Sequence, residues 1–452
     1  MFAWLLNLAY LGLLAAVSPL IAFRMVVRGK YRTAWGQKLL GRVPRREGPG
    51  RCLWFHAVSV GEVLQLQPLI EGMTRLDPAI ELAISTTTPT GYEVARRRFP
   101  DRHIFYFPLD FSWAVDEALS RVRPWAIALV ELELWPNFVC AAAKRGIPVM
   151  LINARVSERS HRGYRRIRPL IGAVLRRISL LAVQSETYAA RLKDLGASSA
   201  AMHVTGSIKF DRIETDRSNP ATANLRQAFG LCGTETVFIA GSTQAPEERF
   251  AIESYVALQA KFPDLRLILV PRHQDRFDEV AHLVEDEFRL PLIRRSQSAA
   301  ANGSASKAPT AAPADAPRPA VMLLDTLGEL SACWGLATIA FVGGSLTRRG
   351  GQNMIEPAGY GAAVLFGPNT WNFKDVVDLL LADGAARIVR SPDDLTAQID
   401  QLLSHPDAAI ELGRRARRLV TSQAGAAART IELIADLLAD DGEARIPPSR
   451  AA

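Results

Sequence analysis

Thirteen short apolar runs rich in β-forming residues, each followed by enough chain for a helix, dictate most of what this sequence can become. Seven lie in its first half: CLWFHAVSV (52–60), IELAISTT (80–87), HIFYFPLD (103–110), WAIALVEL (125–132), IPVMLINA (147–154), SLLAVQSE (179–186) and AMHVTGSI (201–208). Six follow: TVFIAGST (236–243), LRLILVPRH (265–273), AVMLLDT (320–326), TIAFVGG (338–344), AAVLFGP (362–368) and ARIVRS (386–391). Near-continuous apolar runs with room for crossover helices indicate parallel sheets covered on both faces. At 452 residues the chain can bury two such cores. The expected fold class is therefore α/β, two doubly wound Rossmann-like domains at 33–211 and 234–440. Polar, weakly patterned residues 212–233 read as a linker. Residues 296–319, rich in Ala, Ser and Pro, read as an insertion too poor in large apolar residues to pack. The Ala-rich tail from Ser404 to Asp440 reads as helical.

Ahead of both domains, Phe2 to Phe23 carries no charge and matches the length that crosses a bilayer, with Arg24, Arg28, Lys30 and Arg32 following at once. A secretory signal has its positive charges in front, so residues 1–32 read as an uncleaved anchor with the bulk of the protein on the cytoplasmic side. Asn7 and Pro19 leave open a helix that enters only one leaflet. Cys52, Cys140, Cys232 and Cys333 are far apart, which fits a reducing compartment without a structural metal.

The fourth run of the second series ends in Gly343-Gly344, and a basic glycine loop (Arg348, Arg349, Gly350, Gly351) and a helix restarting near Asn353 follow it. Asn353 and Glu356 have capping-box spacing, and Pro357 sits in the first turn. Such a strand–loop–helix junction can offer free N–H groups to a phosphate. It is equally the pattern of a plain tight turn.

Ligands of open α/β sheets bind beyond the carboxyl ends of the strands, so two sheets facing across a cleft make the polar residues just past each strand the site candidates. Glu62 opens the helix after the first strand, where it can take a proton from an attacking hydroxyl or merely compensate the helix dipole, which would hold it ionised at some cost in basicity. Glu131 and Glu133 follow the fourth strand and, in an extended segment, project to one side. Lys209 follows the seventh. In the second half Pro271-Arg272-His273, Asp325 to Glu329 and Gly241-Ser242-Thr243 hold the same position. The segment from Arg155 to Arg177 sets eight arginines against one acid, Glu158, around a helical apolar stripe. Beside a membrane anchor it reads as a surface for anionic lipid head groups rather than nucleic acid, since no aromatic-interleaved basic platform accompanies it.

HAVSVGEV, STTTPTGYE, ELELWPN, INARVSERS, TGSIKFD, LVPRHQDRF, DTLGEL and FVGGSLTRRGGQNMIEPA, in this order, resemble the bacterial 3-deoxy-D-manno-octulosonic acid (Kdo) transferase family, from the anchor to about Asp375. The resemblance implies a GT-B glycosyltransferase on the cytoplasmic face of the inner membrane. It implies Kdo transfer from CMP-Kdo to a lipid A precursor, without a metal or other cofactor. Carried across by position, it puts the general base on Glu62, the charge-stabilising acid on Glu131 and the stabilising lysine on Lys209. It puts CMP contacts on Pro271 and Arg272, on Leu327, Gly328 and Glu329, and on Asn353, Met354, Ile355 and Glu356. Residues 296–319 depart from it, because the family is shorter there. The residues alone also leave open a transferase using a UDP-sugar and another membrane lipid, or a non-catalytic membrane-tethered nucleotide-binding scaffold.

Overall fold

A computed structural model describes residues 2–28, 34–298 and 321–444 of the protein. The chain forms two compact units, residues 1–212 with 423–452, and residues 213–422.

The first unit is built on seven strands: β1 (Cys52–His56), β2 (Glu81–Thr86), β3 (His103–Tyr106), β4 (Ala126–Val130), β5 (Val149–Ala154), β6 (Leu180–Val183) and β7 (Met202–Val204). They pair in parallel in the order β3-β2-β1-β4-β5-β6-β7. Side chains alternate between the faces, and both are buried. Cys52 and Trp54 join one apolar cluster with Phe105 and Phe138, while Leu53 and Phe55 join another with Ile84 and Met73. That double burial is why the strands read as unbroken apolar runs. Strand order reverses between β1 and β4, which places a crevice at the carboxyl ends of those two strands.

Two features of this unit were not legible in advance. The last helix, Ala426–Ala444, expected with the second domain, packs on the first sheet instead: Ala426, Ala427, Ile434 and Leu438 belong to the cluster of Leu53 and Phe55. The Asp211 carboxylate caps it, accepting the N–H groups of Gly425, Ala426 and Ala427. Secondly, Phe2–Arg28 is one helix through Pro19. The carbonyl that proline leaves without an intrahelical partner, that of Ala15, accepts the Ser18 hydroxyl at 2.8 Å. Asn7 is a docking residue rather than a break. It is 2% exposed and bonds both the Ser112 hydroxyl (2.7 Å) and the Ser112 N–H (3.0 Å), while the Tyr10 hydroxyl donates to Asp110 at 3.0 Å. Most of the rest of that helix is exposed and apolar; Ala3–Leu20 is long and apolar enough to cross a membrane by length and composition. Lys30 and Arg32 lie outside the described residues.

The second unit carries β8 (Thr236–Thr243), β9 (Leu265–Pro271), β10 (Leu292–Arg294), β11 (Val321–Leu323), β12 (Ile339–Val342), β13 (Ala363–Phe366) and β14 (Ala386–Ile388), all parallel, in the order β10-β11-β9-β8-β12-β13-β14. Six of these were expected. β10 is three residues long and only half buried, too short for an apolar run. The stretch expected as a linker at 212–233 is instead part of this unit from Ile213 onward. Its helix Pro220–Ala228 is capped by Asn219, buries Thr222 and Leu225, and is preceded by Arg217, whose guanidinium reaches the carbonyls of Tyr360 and Ala337 at 2.8 Å. Arg217 and Thr222 face carbonyls rather than water, which a hydropathy pattern does not reveal. Ser296 also belongs to the fold, since its N–H and hydroxyl both bond Asp325; the remainder of the expected insertion, from 299, lies outside the described residues.

Candidate active site

The first unit gathers its polar side chains where strand order reverses. Ser59 caps the helix Val60–Leu76 and bonds Glu62 reciprocally: the Glu62 N–H donates to the serine hydroxyl, which donates to Glu62 Oε1 at 2.8 Å. Glu62 Oε2 accepts the Val58 N–H at 2.8 Å. Burial nevertheless pushes the Glu62 carboxyl above the usual carboxylate range, against those hydrogen bonds, and the Glu131 charge adds to the rise. The helix dipole, expected to hold Glu62 ionised, is outweighed by burial. Desolvation wins, and it raises the proton affinity of the Glu62 carboxylate.

Just past β4, Glu131 adopts φ 60°, in the left-handed region that side chains rarely occupy. Residues 131 and 132 therefore turn rather than extend, and Glu131 and Glu133 take different partners. Glu131 points to two cations, with Arg155 Nε at 2.8 Å and Lys209 Nζ at 3.8 Å. Asn153, at φ 51° in β5, ties these parts together. Its amide donates to Gln65 at 2.7 Å, and its oxygen accepts the Ile208 N–H at 3.2 Å, fixing the 3-10 turn Ile208–Phe210 that carries Lys209. Glu131 and Lys209, assigned separate roles by the resemblance, thus meet as an ion pair. Arg155 and Asn153 were missed as individual residues, Arg155 having been read only as part of the basic segment. A signal was available: an acid at a strand end needs a cation, and Arg155 follows the neighbouring strand at once.

Glu133 faces another way. Its carboxylate accepts the Trp135 indole N–H at 2.9 Å, and its Oε2 lies 4.0 Å from Nε2 of His56 at the end of β1. Burial, with Glu62 and Glu131 nearby, pushes its carboxyl up to about 7.

In the second unit the glycine loop after β12 is already filled. Glu247, 0% exposed, accepts the N–H groups of Gln244, Gly344, Ser345, Leu346 and Thr347. The donors that the sequence offered to a phosphate are taken by the protein's own carboxylate. A Cβ on Gly343 would lie 2.5 Å from the Thr243 Cα and 2.9 Å from Glu247 Oε2, so the close approach requires glycine. The helix expected from Asn353 is one turn only, Ile355–Gly359. Asn353 and Glu356 do bond, amide to Oε1 at 2.8 Å, and the Asn353 oxygen accepts the Ile355 N–H at 3.1 Å. Burial pushes the Glu356 carboxyl up, with the Asn353 amide and the Arg272 charge opposing it.

Arg272 is exposed and follows the buried Pro271 that ends β9; Thr243 anchors its N–H at 3.0 Å. Leu327, 68% exposed, and Gly328, at φ 86°, form an open turn. Glu329 is held by the Arg295 guanidinium at 2.9 Å and by the Thr326 hydroxyl. Met354 and Ile355 are 0% and 1% exposed, so neither presents surface to a ligand in this structure.

Residues 33–212 match the family model described as 3-Deoxy-D-manno-octulosonic-acid transferase (kdotransferase). The 3-deoxy-D-manno-octulosonic acid transferase of Haemophilus influenzae is 32% identical over 95% of this chain and 95% of its own length. That of Bordetella pertussis is 34% identical over 85% of this chain and 87% of its own. Among solved structures, UDP-GlcNAc 2-epimerase of Neisseria meningitidis covers 85% of this chain and 100% of its own at a TM-score of 0.55 and 12% identity, a likeness of fold alone. A sequence match of this extent to two such transferases, over the residues that build both sheets, shows that the chain belongs to the 3-deoxy-D-manno-octulosonic acid transferase family of glycosyltransferases.

Proposed function

We propose that this protein transfers Kdo from CMP-Kdo to a lipid A precursor by a single displacement that inverts the anomeric carbon. Glu62 removes the proton of the acceptor hydroxyl as that oxygen attacks. Glu131, with Lys209 and Arg155, balances charge on the donor sugar, and Arg272 takes the charge of the departing CMP phosphate. The remaining contacts to CMP are assigned to Pro271, to Leu327, Gly328 and Glu329, and to Asn353, Met354, Ile355 and Glu356. The observation that carries this reading is Glu62 itself, a carboxyl raised by burial, electrostatically coupled to the ion-paired Glu131 at the reversal point of the first sheet.

The helix Phe2–Arg28 and the arginines of 155–177, seven of which are exposed (Arg159, Arg162, Arg165, Arg166, Arg168, Arg176 and Arg177), are assigned to holding the protein on the cytoplasmic face of the inner membrane, where both acceptor and anionic lipids reside. The test is to incubate the purified full chain with CMP-Kdo and tetraacylated lipid A precursor, then weigh the product. One or more added Kdo masses are expected, with chelator present or absent. Restoration of a chelated enzyme only by a divalent metal would overturn the metal-free mechanism. Glu62→Gln is expected to lower kcat at least 100-fold, the scale of general-base catalysis; near-normal turnover in a folded variant would remove Glu62 from the role of base.

A further inference from the structure

His56 is 0% exposed at the end of β1, its ring stacked on Phe107 with centroids 3.8 Å apart. Its Nδ1 lies 3.2 Å from the Ser85 carbonyl and 3.0 Å from the Ser85 hydroxyl. A carbonyl can only accept, so Nδ1 carries the hydrogen and Nε2 presents a bare lone pair. That lone pair is buried and has no hydrogen-bond partner among the described residues. The nearest carboxyl to it is Glu133, whose Oε2 is 4.0 Å away. A buried acceptor left bare costs free energy, and a carboxylic O–H is the one donor that Glu133 can supply.

We propose that Glu133 is a positioning residue of the transferase site, kept as the neutral acid with its proton turned toward His56 Nε2, so that Glu62 remains the ionised carboxylate. The charges account for the choice of acid. Glu131 is offset by Arg155 and Lys209, and Glu62 is held by the Val58 N–H and the Ser59 hydroxyl. Glu133 has one indole N–H and is faced otherwise by His56, Glu62, Glu131 and Tyr164, whose hydroxyl the Glu133 charge helps to push upward. Of the three carboxyls it has least to stabilise an anion. With Glu133 neutral, the two carboxylates and two cations cancel. With Glu133 ionised, the site is net negative and repels an anionic sugar nucleotide. Burial holds His56 neutral, at about 3, so it acts as acceptor across the working range.

The proposal rests on Glu62 as base, and the experiment separates the two. Donor KM and kcat are measured from pH 5.5 to 9 for the wild-type full chain, Glu133→Gln, His56→Phe and Glu62→Gln. In the wild type, donor KM is expected to rise several-fold as pH climbs through about 7, while Glu133→Gln, which cannot ionise, loses that rise. His56→Phe keeps a stacked ring but removes the acceptor, which moves the rise to lower pH. A KM profile of Glu133→Gln that superimposes on the wild type, or a variant inactive at every pH though folded, overturns the role of Glu133. Should His56→Phe not fold, the Glu133→Gln profile decides alone. Normal turnover of Glu62→Gln would instead overturn the base, whatever Glu133 does.

Discussion

Replacing Glu247 with alanine tests the finding that the glycine loop is filled from within. Five N–H groups converge on that carboxylate, and the bonds from Gly344 and Ser345 are fully buried. Each buried donor left without an acceptor costs about 1–3 kcal/mol, so those two alone cost about 2–6 kcal/mol; the other three, partly reached by water, add less. Glu247→Gln is expected to lie between, because the amide keeps one oxygen but turns a donor toward other donors. For a unit of this size about 2–6 kcal/mol lowers the Tm on the order of 10 °C. Thermal melting gives the sum, and hydrogen exchange of a peptide spanning 343–347 gives the place, with protection lost there first. A Glu247→Ala protein that melts within a degree of wild type, with unchanged exchange at 343–347, would refute the argument.

Asp211→Ala leaves three N–H groups at the start of the last helix without their carboxylate acceptor and is expected to cost about 1–2 kcal/mol, read as earlier urea unfolding and as faster proteolysis after residue 422. Glu131→Gly is expected to be more stable than Glu131→Ala by about 1 kcal/mol in denaturant melts, because only glycine is at ease at φ 60°; equal stabilities would mean that the turn stores no strain. Glu133 prefers its proton in the folded state, so its contribution to stability is complete below the ordinary glutamate pKa and is lost as pH rises through about 7. Glu133→Gln should therefore melt like wild type near pH 4 and about 1–3 kcal/mol more stably above pH 8, a difference that calorimetry at the two pH values measures.

How far the sequence could be read follows from what each residue does. Both sheets were visible because a parallel strand buried on two faces leaves an apolar run, as CLWFH and LRLILVP do, and the residues just past each strand then became the candidates. Glu62, Glu131 and Lys209 were singled out because they stand just past strands. What escaped depends on contacts far along the chain. Nothing near Glu247 announces that its carboxylate will enter a loop nearly a hundred residues later. Arg217 looks like a linker residue until its carbonyl partners are known. The left-handed turn at Glu131, a residue type that rarely adopts one, separated two acids that an extended segment would have aligned.

The return of the chain to its first sheet has a consequence for synthesis. Asp211 leaves the ribosome before the helix that it caps, and all of residues 213–422 must be translated in between. At ordinary elongation rates of about 5–20 residues per second, that wait is roughly 10–40 s. Throughout it, the side of the first sheet that Ile434 and Leu438 will cover stays bare while the rest of that unit can already close. A nascent chain arrested before residue 423 should present this strip to holdase chaperones and release it once Ala426–Ala444 has emerged.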